Sequence, residues 1–314
     1  MKRFIILLLV PFICLKLSSQ EHSDNSIDII AYWNIGDKAT YEYSDYGMKI
    51  VENDTIYSPE IYKEWFSLEV IDSTATGYDI RYRLLDYKHL ISNNNKEVEL
   101  FWSSLPKGTT AIFHTNEFGA LENVVSWEIP EDKTNKDEVF KDPDTQQEIV
   151  VVRVPGKEPT ILGEEPIESE EGFLSKIPHV TQLFYYHGNT FQKDSAYYLK
   201  DKVPSAWNDE LIDVQCQILV IDDQEEKELI HILNDNVLDS DQLFENYKSH
   251  FSQFTKDTTM FDDPERNYMF SEENFYVTLH WPSGWNVSTF HKTQTTQGKK
   301  TVINIKEINV LFDE

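Results

Sequence analysis

From Phe66 to Leu84 apolar and polar side chains alternate with a period of two, broken only by the turn "DSTATG". Phe66, Leu68 and Val70 share one face, opposite Ser67 and Glu69. Tyr78, Ile80, Tyr82 and Leu84 share another, opposite Asp79, Arg81 and Arg83. One apolar and one wet face at this spacing is the pattern of antiparallel strands, because successive strand side chains point to opposite sides. "DVQCQILVID" repeats it, with Ile212, Val214, Cys216, Ile218 and Val220 on one face, and so do Phe275, Val277, Leu279 and Trp281. The last series predicts burial of Trp281. Thr301 to Phe312 reads as a further strand whose phase slips near Glu307, as at a bulge.

The strands come in a recurring order. "VIDSTATGYDIRYRLLD" (Val70 to Asp86) and "VIDDQEEKELIHILND" (Val220 to Asp235) are each strand, polar turn, strand. A Gly followed by an aromatic strand precedes each: "WNIGDKATYEYS" and "YHGNTFQKDSAYYLK". A glycine hairpin follows each, around Gly119 in "FHTNEFGALENVVSW" and around Gly284 in "TLHWPSGWNVSTF". Three features in matching order favour a diverged duplication of one β module over the chance likeness of hairpins.

Helices are few. In "DSDQLFENYKSHFSQF", Asp239 stands as an N-cap with Gln242 in the capping-box position. Leu243, Tyr247, Phe251 and Phe254 then form one stripe at helical spacing, predicted to face a sheet. A shorter helix is expected over Glu170 to Ile177. The fold class that follows is mainly β (α+β): antiparallel, curved sheets or half-barrels with one or two short helices packed on them. The divisions are 1–19, a leader; 20–130, a first β module; 131–178, an acidic, proline-rich linker or insert with a strand-like "EIVVVRV"; and 179–314, a second β module with a helix near 240–255.

The leader rests on a basic start at Lys2 and Arg3, an apolar run from Phe4 to Leu17, and small residues before a cut between Ser19 and Gln20. The run is shorter than the roughly 20 residues that span a bilayer. Bulky Ile13 before Cys14 argues against lipidation at that cysteine. The expectation is an exported chain, periplasmic or extracellular, with no transmembrane segment in the mature protein.

Cleavage removes Lys2, Arg3 and Lys16 and no acid, leaving 55 acidic against 25 basic side chains, a formal charge of −30. Nucleic acid is thereby excluded as a partner, since phosphate binding runs on Lys and Arg. Only Cys216 remains, so no internal disulfide can form and the fold must rest on its core. Cys216 reads as a small buried hydrophobe rather than a nucleophile.

No catalytic motif stands out. The nine histidines show no H-x-H, H-x-x-x-H or H-E-x-x-H spacing, and there is no G-x-S-x-G elbow, P-loop or dinucleotide fingerprint. "NDNVLDSD" (Asn234 to Asp241) lacks the glycine and the twelfth-position Glu of a calcium loop and reads as a turn plus helix cap. No cofactor is implied, and weak surface calcium binding stays open given the excess of oxygen ligands. In "HWPSGW", Trp285 is the candidate binding residue, able to stack on sugars or anchor a partner. Asp-Ser/Thr triplets at Thr55, Ser73, Ser195 and Thr258 resemble the acceptor sequence of general O-glycosylation in Bacteroidetes-type exported proteins, which makes these four the candidate O-glycan acceptors.

The Ser-Gln end of the leader, "WNIGDKATYEY", "TNEFGALENVVSW" and "LFYYHGNTF" resemble uncharacterised exported proteins of Bacteroidetes-type bacteria over most of the mature length. The pattern departs after Trp127, where "EIPEDK" and prolines stand in place of a long helix. The resemblance implies export and a β-rich fold, and brings no activity with it. The functional expectation is an exported β-rich, non-enzymatic binding or envelope-associated protein, with an apolar or amphiphilic ligand as one form of it. The alternatives are a carboxylate-dependent hydrolase, for instance glycan-acting, and a purely structural interaction module.

Overall fold

A computed structural model describes residues 25–52, 54–93, 96–100, 105–130, 139–141, 148–150, 167, 169–205, 207–208, 210–223, 228–254 and 268–312. Strands β1 (Ser26–Asp28), β2 (Lys38–Val51), β3 (Asp54–Thr74), β4 (Gly77–Asn93), β5 (Lys96–Leu100), β6 (Thr110–Asn116) and β7 (Leu121–Glu128) come first. Short β8 (Val139–Lys141) and β9 (Glu148–Val150) pair with each other. Helices α1 (Glu170–Leu174) and α2 (Pro178–Gln182) follow. Then come β10 (Thr190–Gln192), β11 (Ser195–Pro204), β12 (Leu211–Asp222), β13 (Leu229–Leu238), α3 (Ser240–Ser252), β14 (Met269–His280), β15 (Trp285–Gln297) and β16 (Lys300–Leu311).

Twelve strands form one antiparallel sheet in the order β11-β12-β13-β14-β15-β16-β2-β3-β4-β6-β7, with β5 also on β4. Two meanders are thus joined where the last strand, β16, pairs along β2, from Lys300 opposite Val51 to Leu311 opposite Thr40. The sheet does not close into a barrel, since β11 and β7 end the path. The mainly β, antiparallel fold expected from the alternation is what the chain adopts.

The hollow of the sheet is filled by the chain itself. A strap from Asn25 to Asp37 and a plug from Ser169 to Gln192 lie on its inner face. Strap residue Ala31 donates its N–H to Phe118 O at 2.9 Å, and Tyr32 donates to Ser283 O at 3.1 Å. These acceptors sit on the β6–β7 and β14–β15 turns. Five strand steps separate β15 from β6, about 24 Å on a flat sheet. Adjacent strap residues reach both turns, so the sheet must curl strongly around the strap.

One apolar cluster joins Tyr41, Phe66, Leu68, Ile80, Tyr82 and Phe113 of the sheet to Trp33 of the strap and Phe173, Ile177, Val180 and Phe184 of the plug. A second joins Ile218, Val220, Ile232 and Phe275 to Ile27, Ile29, Tyr186 and Phe191. Phe173 and Ile177, in the stretch read from sequence as linker, are fully buried. The expected helix over 170–177 is broken after Leu174, and Pro178 begins a second turn of helix at its favoured first position. Most of the remaining linker lies outside the described residues.

Three sequence expectations are corrected. Trp281 is 45% exposed, because β14 ends at His280 and Trp281 belongs to the turn. The phase slip in β16 is not a bulge, for its register with both neighbours is unbroken. Instead Ile303 and Ile305 are buried on one side of the sheet and Ile308 on the other, so the two ends of the strand bury opposite faces. Finally, only the first half of the α3 stripe is core. Leu243 packs with Ile212 and Met269, Tyr247 and Phe251 pack ring to ring at 4.5 Å, and Phe254 is 75% exposed beyond the helix end. Asp239 caps as expected, accepting from Gln242 N at 2.9 Å. Gln242 does not complete the box; its amide binds Asp213 of β12 instead. Phe254→Ala should therefore change stability by less than about 0.5 kcal/mol. Phe251→Ala should cost about 1 kcal/mol through loss of its aromatic pair. Urea unfolding of the two variants checks both values.

Candidate functional site

The inner face carries its ionisable groups around α2. Glu64 of β3 lies in phase with Phe66, Leu68 and Val70 and is 2% exposed. Its Oε2 accepts from Tyr62 OH at 2.8 Å, and its Oε1 accepts from Tyr82 OH at 3.0 Å. His179 Nε2 of α2 lies 3.1 Å from the same Oε1, and the imidazole stacks on Tyr43 at 4.1 Å. Burial alone would raise the Glu64 pKa. The charge and hydrogen bond of His179, with the two tyrosine hydroxyls, outweigh it and hold the carboxyl below its usual value. Burial, followed by the Glu64 charge and hydrogen bond, pushes the Tyr82 hydroxyl well up. A carboxylate with three donors is a structural hub tying plug to sheet, and its oxygens are already engaged where a general base would need one free.

A second pair lies across α2. His291 Nε2 of β15 is 2.6 Å from Glu273 Oε1 of β14, and His291 Nδ1 is 3.4 Å from the Gln182 amide of α2. Cys216 is buried on the same inner face and donates to Asn234 Oδ1 at 3.2 Å. Burial, then the charges of Asp235 and Glu273, push its thiol up to about 11. His291 stands three strands away from Cys216 in the sheet order, about 14 Å along the sheet. Its burial and raised pKa accord with the core reading of Cys216.

Trp285, the candidate binding residue, is half-buried and stacks on Trp33 at 4.7 Å between strap and sheet. Thr55 and Ser73 are exposed at the two ends of β3, and Ser195, half-buried, donates to Lys193 O at 3.1 Å. Thr258 and the Ser19–Gln20 cleavage point lie outside the described residues. Asn234 to Leu238, read as part of a turn, belong to β13, and only Asp239 onward forms the cap. Among the described residues no three His, Cys, Asp or Glu side chains group as metal ligands. No described helix is long and apolar enough to cross a membrane, which says nothing of strands.

Sequence reasoning missed the Glu64–His179 hub. One signal was there: continuing the Phe66–Val70 phase backwards puts Tyr62 and Glu64 on the buried face. The partner, 115 residues away on a short helix, had no local signature.

No family model matches the chain, and no curated protein matches it. Among solved structures it is similar to lipovitellin, described under lipid–protein interactions, at 6% identity and a TM-score of 0.41 over 89% of this chain and 25% of that one. The chain thus spans about a quarter of lipovitellin's length. It is also similar to a porin of Rh. blastica, in a mutant form, at 8% identity and a TM-score of 0.21, over 87% of this chain and all of the other. DynF, from the dynemicin biosynthesis pathway of Micromonospora chersina, follows at 5% and 0.19, over 93% and 92%. TM-scores of this size carry no argument about function.

Proposed function

We propose that the chain is an exported, non-enzymatic binding or envelope-associated protein, built from a duplicated β module, that works through its outer surface. The observation that carries this is the filling of its hollow. Phe173, Ile177, Val180, Phe184 and Phe191 of the plug and Ile27, Ile29 and Trp33 of the strap occupy the inner face. An apolar or amphiphilic ligand held inside would have to displace one of them, so such a ligand fits the exterior better. The Glu64 carboxylate in the interior serves packing. Duplication is supported by strand order, since β2-β3-β4-β6-β7 and β11-β12-β13-β14-β15 follow one another alike. In both, the fourth and fifth strands meet at a positive-φ glycine, Gly119 or Gly284.

Native mass spectrometry with solvent extraction of the purified chain is the test. A stoichiometric lipid would overturn the surface reading in favour of a carrier. Export predicts an intact mass beginning at Gln20; a retained Met1 or a lipidated cysteine would contradict it. One observation favours the hydrolase alternative: the half-buried His291–Glu273 pair. Release of reducing ends from a polysaccharide panel, abolished by Glu273→Gln, would establish that reading instead.

A further inference from the structure

Three large aromatic side chains stand out of the surface where the strap passes between the two glycine turns. Tyr32 of the strap is 55% exposed, Phe118 of the β6–β7 turn 41% and Trp281 of the β14–β15 turn 45%. Backbone hydrogen bonds bring the three segments that carry them together. Ala31 bonds to Phe118 O on one flank of the strap and Tyr32 to Ser283 O on the other. None of the three is loose. Asn116 Oδ1 accepts from both Phe118 N and Ala120 N at 3.0 Å, closing that turn. Trp281 N donates to Glu228 O at 2.8 Å, and Gly284 N to His280 O at 2.8 Å, closing the other. Tyr32 lies between buried Ala31 and Trp33, so the strap's alternation fixes it outward. Exposed aromatics on rigid backbone keep contact area without the ordering cost that mobile loops carry, which is the character of binding hot spots.

Two of the described carboxylates stand beside this row: Glu117 precedes Phe118 in its turn, and Glu228 lies 3.3 Å from His280, the neighbour of Trp281. His280 is held between that carboxylate and Ser283 Oγ at 2.8 Å. The whole chain carries a formal charge of −27. Such a surface repels anionic bilayers and acidic polymers and draws cations in. Aromatic faces with carboxylates nearby suit a guanidinium, which can lie over a ring while its N–H groups reach an acid.

We propose that Tyr32, Phe118 and Trp281 form the docking surface for an arginine-rich segment of a partner polypeptide. This rests on the surface-binding reading above and names the partner class for it. The probe is a fluorescent hexa-arginine peptide titrated into the intact chain by anisotropy, with hexa-lysine, a neutral oligosaccharide and phosphatidylcholine vesicles alongside. Hexa-arginine should bind more tightly than hexa-lysine. Trp281→Ala, Tyr32→Ala and Phe118→Ala should each weaken it roughly two- to fivefold, the effect of one exposed cation–π contact. Glu228→Gln, which keeps the three aromatic side chains and removes one negative charge, should weaken it and reduce its salt dependence. Melting temperatures of all four variants serve as the folding control. Absence of hexa-arginine binding at low salt, or binding indifferent to the three alanines, overturns the proposal. So does aromatic-dependent binding of the oligosaccharide or vesicles in its place. Mass spectrometry of the same preparation reads the carrier question separately, so failure of one conclusion is distinguishable from failure of the other.

Discussion

Gly284→Ala should destabilise the protein by about 2–5 kcal/mol, the sum of a left-handed backbone penalty and an overpacked contact. Gly284 has φ +73°, a region L side chains rarely adopt. A Cβ there would also stand 2.4 Å from Ile30 O and 2.9 Å from Ala31 Cα. Both obstacles are strap backbone, which cannot rotate aside as a side chain can. Gly36→Ala separates the two terms. It has φ +93° and nothing within 4 Å of its would-be Cβ, so it should cost only the roughly 1–2 kcal/mol of backbone strain. Equilibrium urea unfolding of the pair gives the strap contact by difference. Equal losses would mean that the strap moves aside freely and does not clamp the two turns.

The second large effect is on acid stability, through His187. Its Nε2 donates to Gly284 O at 2.8 Å, and its ring lies 5.4 Å from Trp33 and 6.4 Å from Phe184. Burial lowers its pKa from 6.5 to about 4, against a smaller upward pull from backbone hydrogen bonds at Gly284 and Phe184. Above pH 6.5 the imidazole is neutral in both folded and unfolded chains and contributes no pH dependence. As pH falls below 6.5 the unfolded chain takes up the proton and the folded one does not until about 4. Stability should fall through that window by roughly 3 kcal/mol. Glu64 acts in the same direction lower down. Its folded pKa is depressed, so its contribution is present above 4.5 and is lost as pH falls through the lowered value. The difference between wild type and His187→Gln is the readout, because a glutamine can donate to Gly284 O and has no proton to gain. The variant's stability should depend less steeply on pH between 6.5 and 4. Equal slopes would mean that His187 is already solvated when folded.

Much of this architecture could be read from residue order, and the parts that could not share a physical cause. Period two placed Phe66, Leu68, Val70, Ile80, Tyr82 and Leu84 on one buried face, and all six are fully buried. Local polarity is enough for that, since each side chain answers to its own strand. The plug was missed because its burial depends on what surrounds it. "EEGFLSKIPHVTQLF" has neither a long stripe nor an alternation, and it is core only because a curled sheet closes over it. The α3 stripe failed at Phe254 for the converse reason, as helical spacing says which residues align but not where the covering surface ends. The exposed row of Tyr32, Phe118 and Trp281 was out of reach too, since two distant turns and the strap had to be brought together first.

The pairing of β16 on β2 gives the molecule a timetable. Strand β2 is made long before its second neighbour, β16, with Thr40 finally meeting Leu311. Until then the first meander carries a bare edge, and such edges are what strands of other chains attach to. Contacts so remote in sequence also slow folding, because a very long loop must close before they return anything. Loss of the twelve-residue β16 would strip more than a margin from the sheet. It would leave β2 and β15 each with a single neighbour, and turn one continuous sheet into two half-sheets with bare inner edges.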